Sequence, residues 1–175
     1  MKKDYQVRLE WKAYELRPGL PPEGIPRTPK PGEVHGFPTY LNELAKELGL
    51  KLKRSPIIPN SRQALEAAEY AREQGKLDQF HLAVFKAYWE EAKNIGLINV
   101  ITKIASECGL DAKEVERCLQ EGRYTEEVKA QSEEAKQSGI NGIPAYVIDD
   151  FLIEGVQPYE VFQRAVEKAL NKNKQ

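Results

Sequence analysis

Apolar and polar residues alternate one for one from residue 5 to residue 14. Tyr5, Val7, Leu9, Trp11 and Ala13 fall on one side, and Gln6, Arg8, Glu10 and Lys12 on the other. That period predicts a strand with one wet face. Residues 17–38 then break every period, because Pro18, Pro21, Pro22, Pro26, Pro29, Pro31 and Pro38 fall there, seven of the eleven prolines. Proline lacks the backbone donor that helices and inner strands both use, so an extended surface loop is expected. Its length points to a binding lid or a wrapping segment.

From residue 39 to 136 the period becomes helical. Tyr40, Leu41, Leu44, Ala45 and Leu48 make a short amphipathic helix that Gly49 ends. Asn60 is placed to cap a helix with Gln63 at capping-box spacing, running to Gly75 with Leu65, Ala68 and Tyr70 inward. Phe80, Val84, Phe85, Tyr88 and Trp89 mark the most aromatic helix, the expected centre of the helical core. Leu97, Val100, Ile101, Ile104 and Ala105 make the next one. Asp111 caps another, with Glu114 completing its box and Leu110 placed to staple against Val115. Residues 125–137 read as a charged, mostly solvated helix.

Gly139 can close that helix in a left-handed cap. Gly142-Ile143-Pro144 is then a sharp turn. Residues 145–148 follow as a run with no polar face, which predicts a strand covered above and below in the middle of a sheet. Asp149-Asp150 reverses the chain, and residues 151–155 return as the second arm of a hairpin. Pro158 opens a last helix with Val161, Phe162, Ala165, Val166, Ala169 and Leu170 on one stripe.

Charge narrows the function classes. With 26 basic and 27 acidic residues the chain has no basic field to hold nucleic acid or an anionic membrane, so neither is expected as a partner. No apolar run approaches a membrane span, and the first residues lack a secretory apolar core, so a cytoplasmic location is expected. Two cysteines are too few for a disulfide framework, which fits a reducing compartment. Phosphate loops, dinucleotide fingerprints and hydrolase elbows are absent from the sequence.

Several separated blocks point to one family. They are Glu10-Trp11-Lys12-Ala13-Tyr14-Glu15-Leu16-Arg17-Pro18, the Pro-Pro-Glu-Gly-Ile-Pro loop from Pro21, Tyr70-Ala-Arg-Glu-Gln-Gly-Lys-Leu-Asp-Gln-Phe-His81, Phe85-Lys-Ala-Tyr, and Gly142-Ile-Pro-Ala-Tyr-Val-Ile-Asp149. Together they span almost the whole chain and resemble the DsbA-like thioredoxin-fold oxidoreductases, most of all their FrnE-like branch. The resemblance implies an α/β fold: a thioredoxin-like core, incomplete at its N-terminus, interrupted by an all-helical inserted domain. The core would comprise residues 1–16 and 138–175, the proline-rich loop 17–38 and the helical insertion 39–137. It also implies a substrate-binding loop at Gly142, Ile143 and Pro144, with a cis Ile143–Pro144 bond. There the backbone of Ile143 would meet an extended peptide or a thiol/disulfide protein substrate.

The chain departs from that family at the chemistry. Such proteins carry a Cys-x-x-Cys pair at the amino end of the helix after an additional first strand, where the helix terminus lowers the thiolate's pKa. No Cys-x-x-Cys occurs here, and the strand at residues 5–14 matches the family's second strand. The expectation is a chain truncated at its amino end, with no catalytic residue to carry over and no disulfide-exchange turnover. Cys108 and Cys118 lie ten apart and read as two unpaired, packed thiols. His35 and His81 are the whole imidazole inventory, too few for a zinc site, so neither metal nor cofactor is expected. His81 reads as a packing residue within the aromatic helix, and His35 as a weak candidate for lining a cleft.

Three functional readings stand side by side. The first is a protein thiol-disulfide oxidoreductase family member, inactive in this form. The second is a redox-inactive peptide- or protein-binding module that keeps the groove and pairs Ile143 with a partner's backbone. The third is a glutathione-using relative of the kappa-class transferases and 2-hydroxychromene-2-carboxylate isomerases, in which a serine stands at the missing site. A further expectation concerns assembly. The family's absent first strand would lie between residues 5–14 and 145–148, leaving backbone groups that cost about 1–3 kcal/mol each if buried unpaired. A homo-oligomer through the incomplete sheet is therefore expected.

Overall fold

The computed structural model describes residues 4–28 and 37–172; Pro29, Pro31 and His35 lie outside them. The chain divides into two compact units, Arg17–Val128 and the combination of Met1–Leu16 with Lys129–Gln175. The architecture is mixed α/β, mostly helical, with two small two-stranded sheets among the described residues.

The helical unit opens on β1 (Ile25–Pro26), α1 (Thr39–Glu47) and β2 (Ile57–Ile58), where Ile25 pairs Ile58 and Pro26 pairs Ile57 antiparallel. A proline in a ladder was not expected. It is tolerated because this ladder is two residues long and asks for few donors. The described part of the proline loop is a wrapping segment held through its backbone. Asn60 Nδ2 donates to Leu20 O, Asn94 Nδ2 to Glu23 O at 2.8 Å, and Arg27 N to Pro56 O at 2.8 Å.

The core of this unit is built by α2 (Arg62–Glu73), α3 (Leu77–Trp89), α4 (Ile98–Glu107) and α5 (Ala112–Glu121). On α2 the buried residues Ala64, Ala67, Tyr70 and Ala71 fall at three- and four-residue steps, so small side chains line one stripe and let the neighbouring helices approach. Ile101, Ile104 and Ala105 on α4, and Val115, Cys118 and Leu119 on α5, repeat the spacing. The aromatic helix α3 is less central than expected: Phe80 is fully buried, but Phe85 is 49% and Leu82 70% exposed. Its apolar residues run nearly all round the helix, whereas α2 and α4 cover only part of it.

Neither expected capping box closes. Asp111 Oδ1 accepts from Lys113 N and Glu114 N, as expected of an N-cap. The Glu114 carboxylate does not turn back to close the box; Arg117 takes it at 2.7 Å and Arg123 at 3.2 Å. Asn60 Oδ1 likewise accepts from Arg62 N, while Gln63 Oε1 is buried with no partner among the described residues. The capping half of the box forms at Asp111 alone; α2 starts one residue later than expected, with Ser61 at its N-cap and no side-chain capping bond there, and Asn60 bonds Arg62 N from outside the helix.

The second unit holds α6 (Thr125–Gln137) beyond the division, then β3 (Ala145–Ile148), β4 (Phe151–Glu154) and α7 (Tyr159–Lys172). Residues 5–14 form no strand. A ladder needs a neighbouring strand, and here a helix flank supplies the partners instead: Ala13 N donates to Gln131 Oε1 at 2.6 Å and Glu15 N to Ser132 Oγ at 3.0 Å. The alternation does not carry through to burial: residues 8–12 are all exposed, with Leu9 at 50% and Trp11 at 36%. Nor is β3 covered on both faces. Tyr146 packs edge-on against Phe162 of α7, with ring centroids 4.9 Å apart, and Ile153 is buried; Val147 on the other face is 60% exposed and its partner Leu152 40%.

Candidate functional site

The stretch that leads from α6 into β3 is shaped by its glycines and by borrowed hydrogen bonds. Gly139 sits at φ +82°, where a side chain would be strained, and closes α6 as Gly139 N donates to Lys136 O and Ile140 N to Ala135 O. Ile140 O accepts from Tyr14 Oη at 3.3 Å, and Asn141 Nδ2 donates to Gly139 O at 2.9 Å. Ile143–Pro144 is cis, as the sequence reading expected. Pro144 O accepts from Gly155 N at 2.8 Å, which fixes the mouth of the hairpin.

Gly142, Ile143 and Pro144 therefore form one contiguous surface step at the start of β3. Ile143 is 55% exposed, a large apolar side chain about half open to solvent. The chain is uncharged from Ser138 to Ile148, so this step offers backbone groups and apolar surface rather than acid–base chemistry. Across the hairpin, Asp149 adopts φ +52° in the turn, and Lys172 pairs with both Asp149 and Asp150.

Cysteine chemistry lies elsewhere and is muted. Cys108 and Cys118 are both buried and unpaired, in the helical unit. Burial pushes each thiol above its ordinary range, so both stay protonated near neutrality. Their sulfurs make only long contacts, Cys108 Sγ to Gln79 O at 3.8 Å and Cys118 Sγ to Glu114 Oε1 at 3.7 Å. His81 stacks on Phe85 with centroids 4.5 Å apart, and burial lowers its pKa against the opposing pull of Asp78. This is a packing role. Among the described residues no group of three or more His, Cys, Asp or Glu could hold a metal ion, and no helix is long and apolar enough to cross a membrane.

The sequence reading missed the open hairpin face that Val147 and Leu152 share. A four-residue apolar run carries no mark of how many of its faces will be covered, so no signal for it existed.

Comparison with known proteins matches these features to one family. The model of the DSBA-like thioredoxin domain family matches residues 1–167. The uncharacterized protein YwbO of Bacillus subtilis (strain 168) is 29% identical over 167 residues, covering 94% of this chain and 83% of that protein. Among solved structures, a probable DsbA oxidoreductase from Streptomyces coelicolor superposes with a TM-score of 0.78 at 24% identity, over 91% of this chain and 74% of that one. A 2-hydroxychromene-2-carboxylate isomerase superposes at 0.67 with 21% identity, over 77% of this chain and 66% of its own. At these identities both structures speak to the fold.

Proposed function

The chain belongs to the DSBA-like thioredoxin domain family, and on that premise we propose that it binds extended protein segments without disulfide-exchange turnover of its own. The binding step is Gly142-Ile143-Pro144, where an incoming backbone lies alongside Ile143 in the manner of an added strand. One observation carries the redox half of this reading. The only two cysteines are buried, unpaired and held in the thiol form, whereas exchange needs an accessible thiolate. The exposure of Ile143 on an uncharged step supports the binding half.

Both halves are testable on the chain as it stands. Reduction of insulin by dithiothreitol is expected to run no faster with the protein than without it. Fluorescein-labelled, alkylated insulin B chain is expected to raise its anisotropy on titration with the protein, and Ile143→Asp to weaken that binding by about tenfold, the scale of one lost apolar anchor. Equal binding by both forms would overturn the site. Saturable binding of reduced glutathione, with no B-chain binding, would favour the isomerase-like reading instead.

A further inference from the structure

Seven asparagines occur in the chain, and Asn141 alone is followed by glycine; each of the others precedes a residue with a side chain. The pairing matters because a backbone amide nitrogen can attack the side-chain carbonyl of an asparagine just before it. A side chain on the attacking residue crowds that approach, and glycine removes the crowding. The fold leaves the reaction open here, and it involves atoms of residues 141 and 142 alone. Asn141 is exposed and lies outside both α6 and the β3–β4 ladder. Gly142 N donates to no described residue, so no hydrogen bond must break before that nitrogen reacts. A Cβ built on Gly142 would meet nothing within 4 Å, which leaves room for a ring to close. One restraint stands against it: Asn141 Nδ2 donates to Gly139 O at 2.9 Å. A single exposed hydrogen bond slows such a step by about tenfold at most.

We propose that Asn141–Gly142 is a spontaneous modification site, where cyclisation and hydrolysis write a negative charge beside the binding step and weaken it. Solvent base removes the Gly142 amide proton, and the nitrogen attacks Asn141 Cγ. The N–Cγ bond forms as Cγ–Nδ2 breaks, and Nδ2 takes a proton from water and leaves as ammonia. Water then opens the succinimide. Breaking N–Cγ gives aspartate; breaking the bond to the main-chain carbonyl gives isoaspartate, whose backbone runs through Cγ. The balance is asparagine and water in, carboxylate and ammonia out, with no redox change. Either product sets a carboxylate in a stretch otherwise uncharged from Ser138 to Ile148. It also puts an oxygen where Nδ2 met Gly139 O, so two acceptors face each other and that contact is lost. Isoaspartate further lengthens the main chain before Gly142 by one carbon–carbon bond, about 1.5 Å. Ile143 is then shifted against any backbone that must lie in register with it, and a nearby carboxylate resists desolvation. The effect on binding rests on the peptide-binding role proposed for this step; the modification does not.

Ageing the whole chain at pH 8.0 and 37 °C tests both parts. Trypsin releases residues 137–164 as one peptide, cut after Lys136 and Arg164. Mass spectrometry reads the exchange of NH2 for OH in that peptide, and fragment ions place it at Asn141. Conversion of Asn141 in the folded chain is expected within about tenfold of its rate in urea, ahead of every other asparagine, and Gly142→Ala is expected to slow it many-fold. The converted chain, separated by anion exchange, is expected to bind fluorescein-labelled, alkylated insulin B chain about tenfold more weakly than fresh chain. Asn141→Asp is expected to show that loss without ageing. Asn141→Gln, whose longer side chain closes the ring poorly, is expected to lose no affinity over the same incubation. An Asn141 amide that outlasts the other asparagines overturns the modification site, and a converted chain that binds as tightly as fresh chain overturns its effect. Fresh chain that fails to bind B chain overturns the peptide-binding role and this effect with it, while conversion at Asn141 is upheld or overturned by mass alone.

Discussion

At the scale of single residues, burial decides chemistry that residue type alone leaves open. Cys108 and Cys118 sit beneath 6% exposure, and desolvation favours their neutral form. Native labelling with a thiol reagent at pH 8 is expected to run roughly a hundredfold slower than in denaturant, because it must wait for local opening. The same shifts set a pH dependence. Each folded-state thiol pKa lies above the unfolded value of about 8.5, so the unfolded chain sheds its protons first and stability falls as pH rises past that value. Tyr124, buried and bonded to Glu73, is pushed up to about 12 and extends the decline above pH 10. Urea unfolding at pH 7.5 and pH 9.8 should show that loss, and Cys108→Ala with Cys118→Ala should reduce it. Gly96 is constrained by space: a Cβ there would lie 2.6 Å from Pro22 O and 2.8 Å from Asn60 O. Gly96→Ala is expected to cost about 1–3 kcal/mol, read from the shift in urea midpoint, since backbone atoms cannot move aside cheaply.

At the scale of elements, two aromatic residues five positions apart on α3 face different ways round the helix and meet different surroundings. Phe80 is fully buried and Phe85 half exposed, although the sequence reading expected this aromatic helix as a whole to be the centre of the core. Phe80→Ala is expected to cost about 3–5 kcal/mol and Phe85→Ala less than about 1, measured by urea unfolding. The contrast marks what was legible. Helix existence was, because three- and four-residue spacing such as Ile101, Ile104 and Ala105 is a local signal, although on α2 the buried stripe is Ala64, Ala67, Tyr70 and Ala71 where Leu65 and Ala68 were expected beside Tyr70. The hairpin was too, because Asp149-Asp150 breaks two apolar runs at the right place. Coverage was not. Residues 5–14 have perfect strand alternation yet meet the side chains of Gln131 and Ser132 rather than a strand, and Val147 has an apolar neighbourhood in sequence yet faces solvent. Whether a ladder or a covered face forms depends on which element arrives beside the segment, and that is a non-local fact. The binding step at Ile143 was read from resemblance to a family, while its exposure could be seen only once the chain was folded.

At the scale of the whole molecule, the buried apolar residues are unevenly shared between the two units. The continuous core cluster, from Ala64 through Phe80, Ile101 and Val115 to Tyr124, lies entirely within Arg17–Val128. In the other unit the buried apolar residues of the described chain are Ala13, Ile153, Ala165 and Val166, joined by the polar Glu15, Gln131 and Ser132. Full burial of a Val, Leu, Ile or Phe side chain contributes about 1.5–3 kcal/mol and of an alanine much less, so the helical unit holds most of the hydrophobic driving force. Small domains with few such side chains stand near the limit of independent folding. A fragment of residues 17–137 retains the whole cluster, all of α6, the Thr125–Glu66 hydrogen bond and buried Val128. It is therefore expected to fold alone, with a helical circular dichroism spectrum and one cooperative thermal transition within about 5 °C of the main transition of the full chain, a shift of the order of 1 kcal/mol. A fragment of residues 129–175 is expected to show no cooperative transition, because it lacks residues 5–15 and the few buried groups they supply. A disordered 17–137 fragment would mean that the helical core depends on the rest of the chain, and that the division into two units describes geometry without energetic independence.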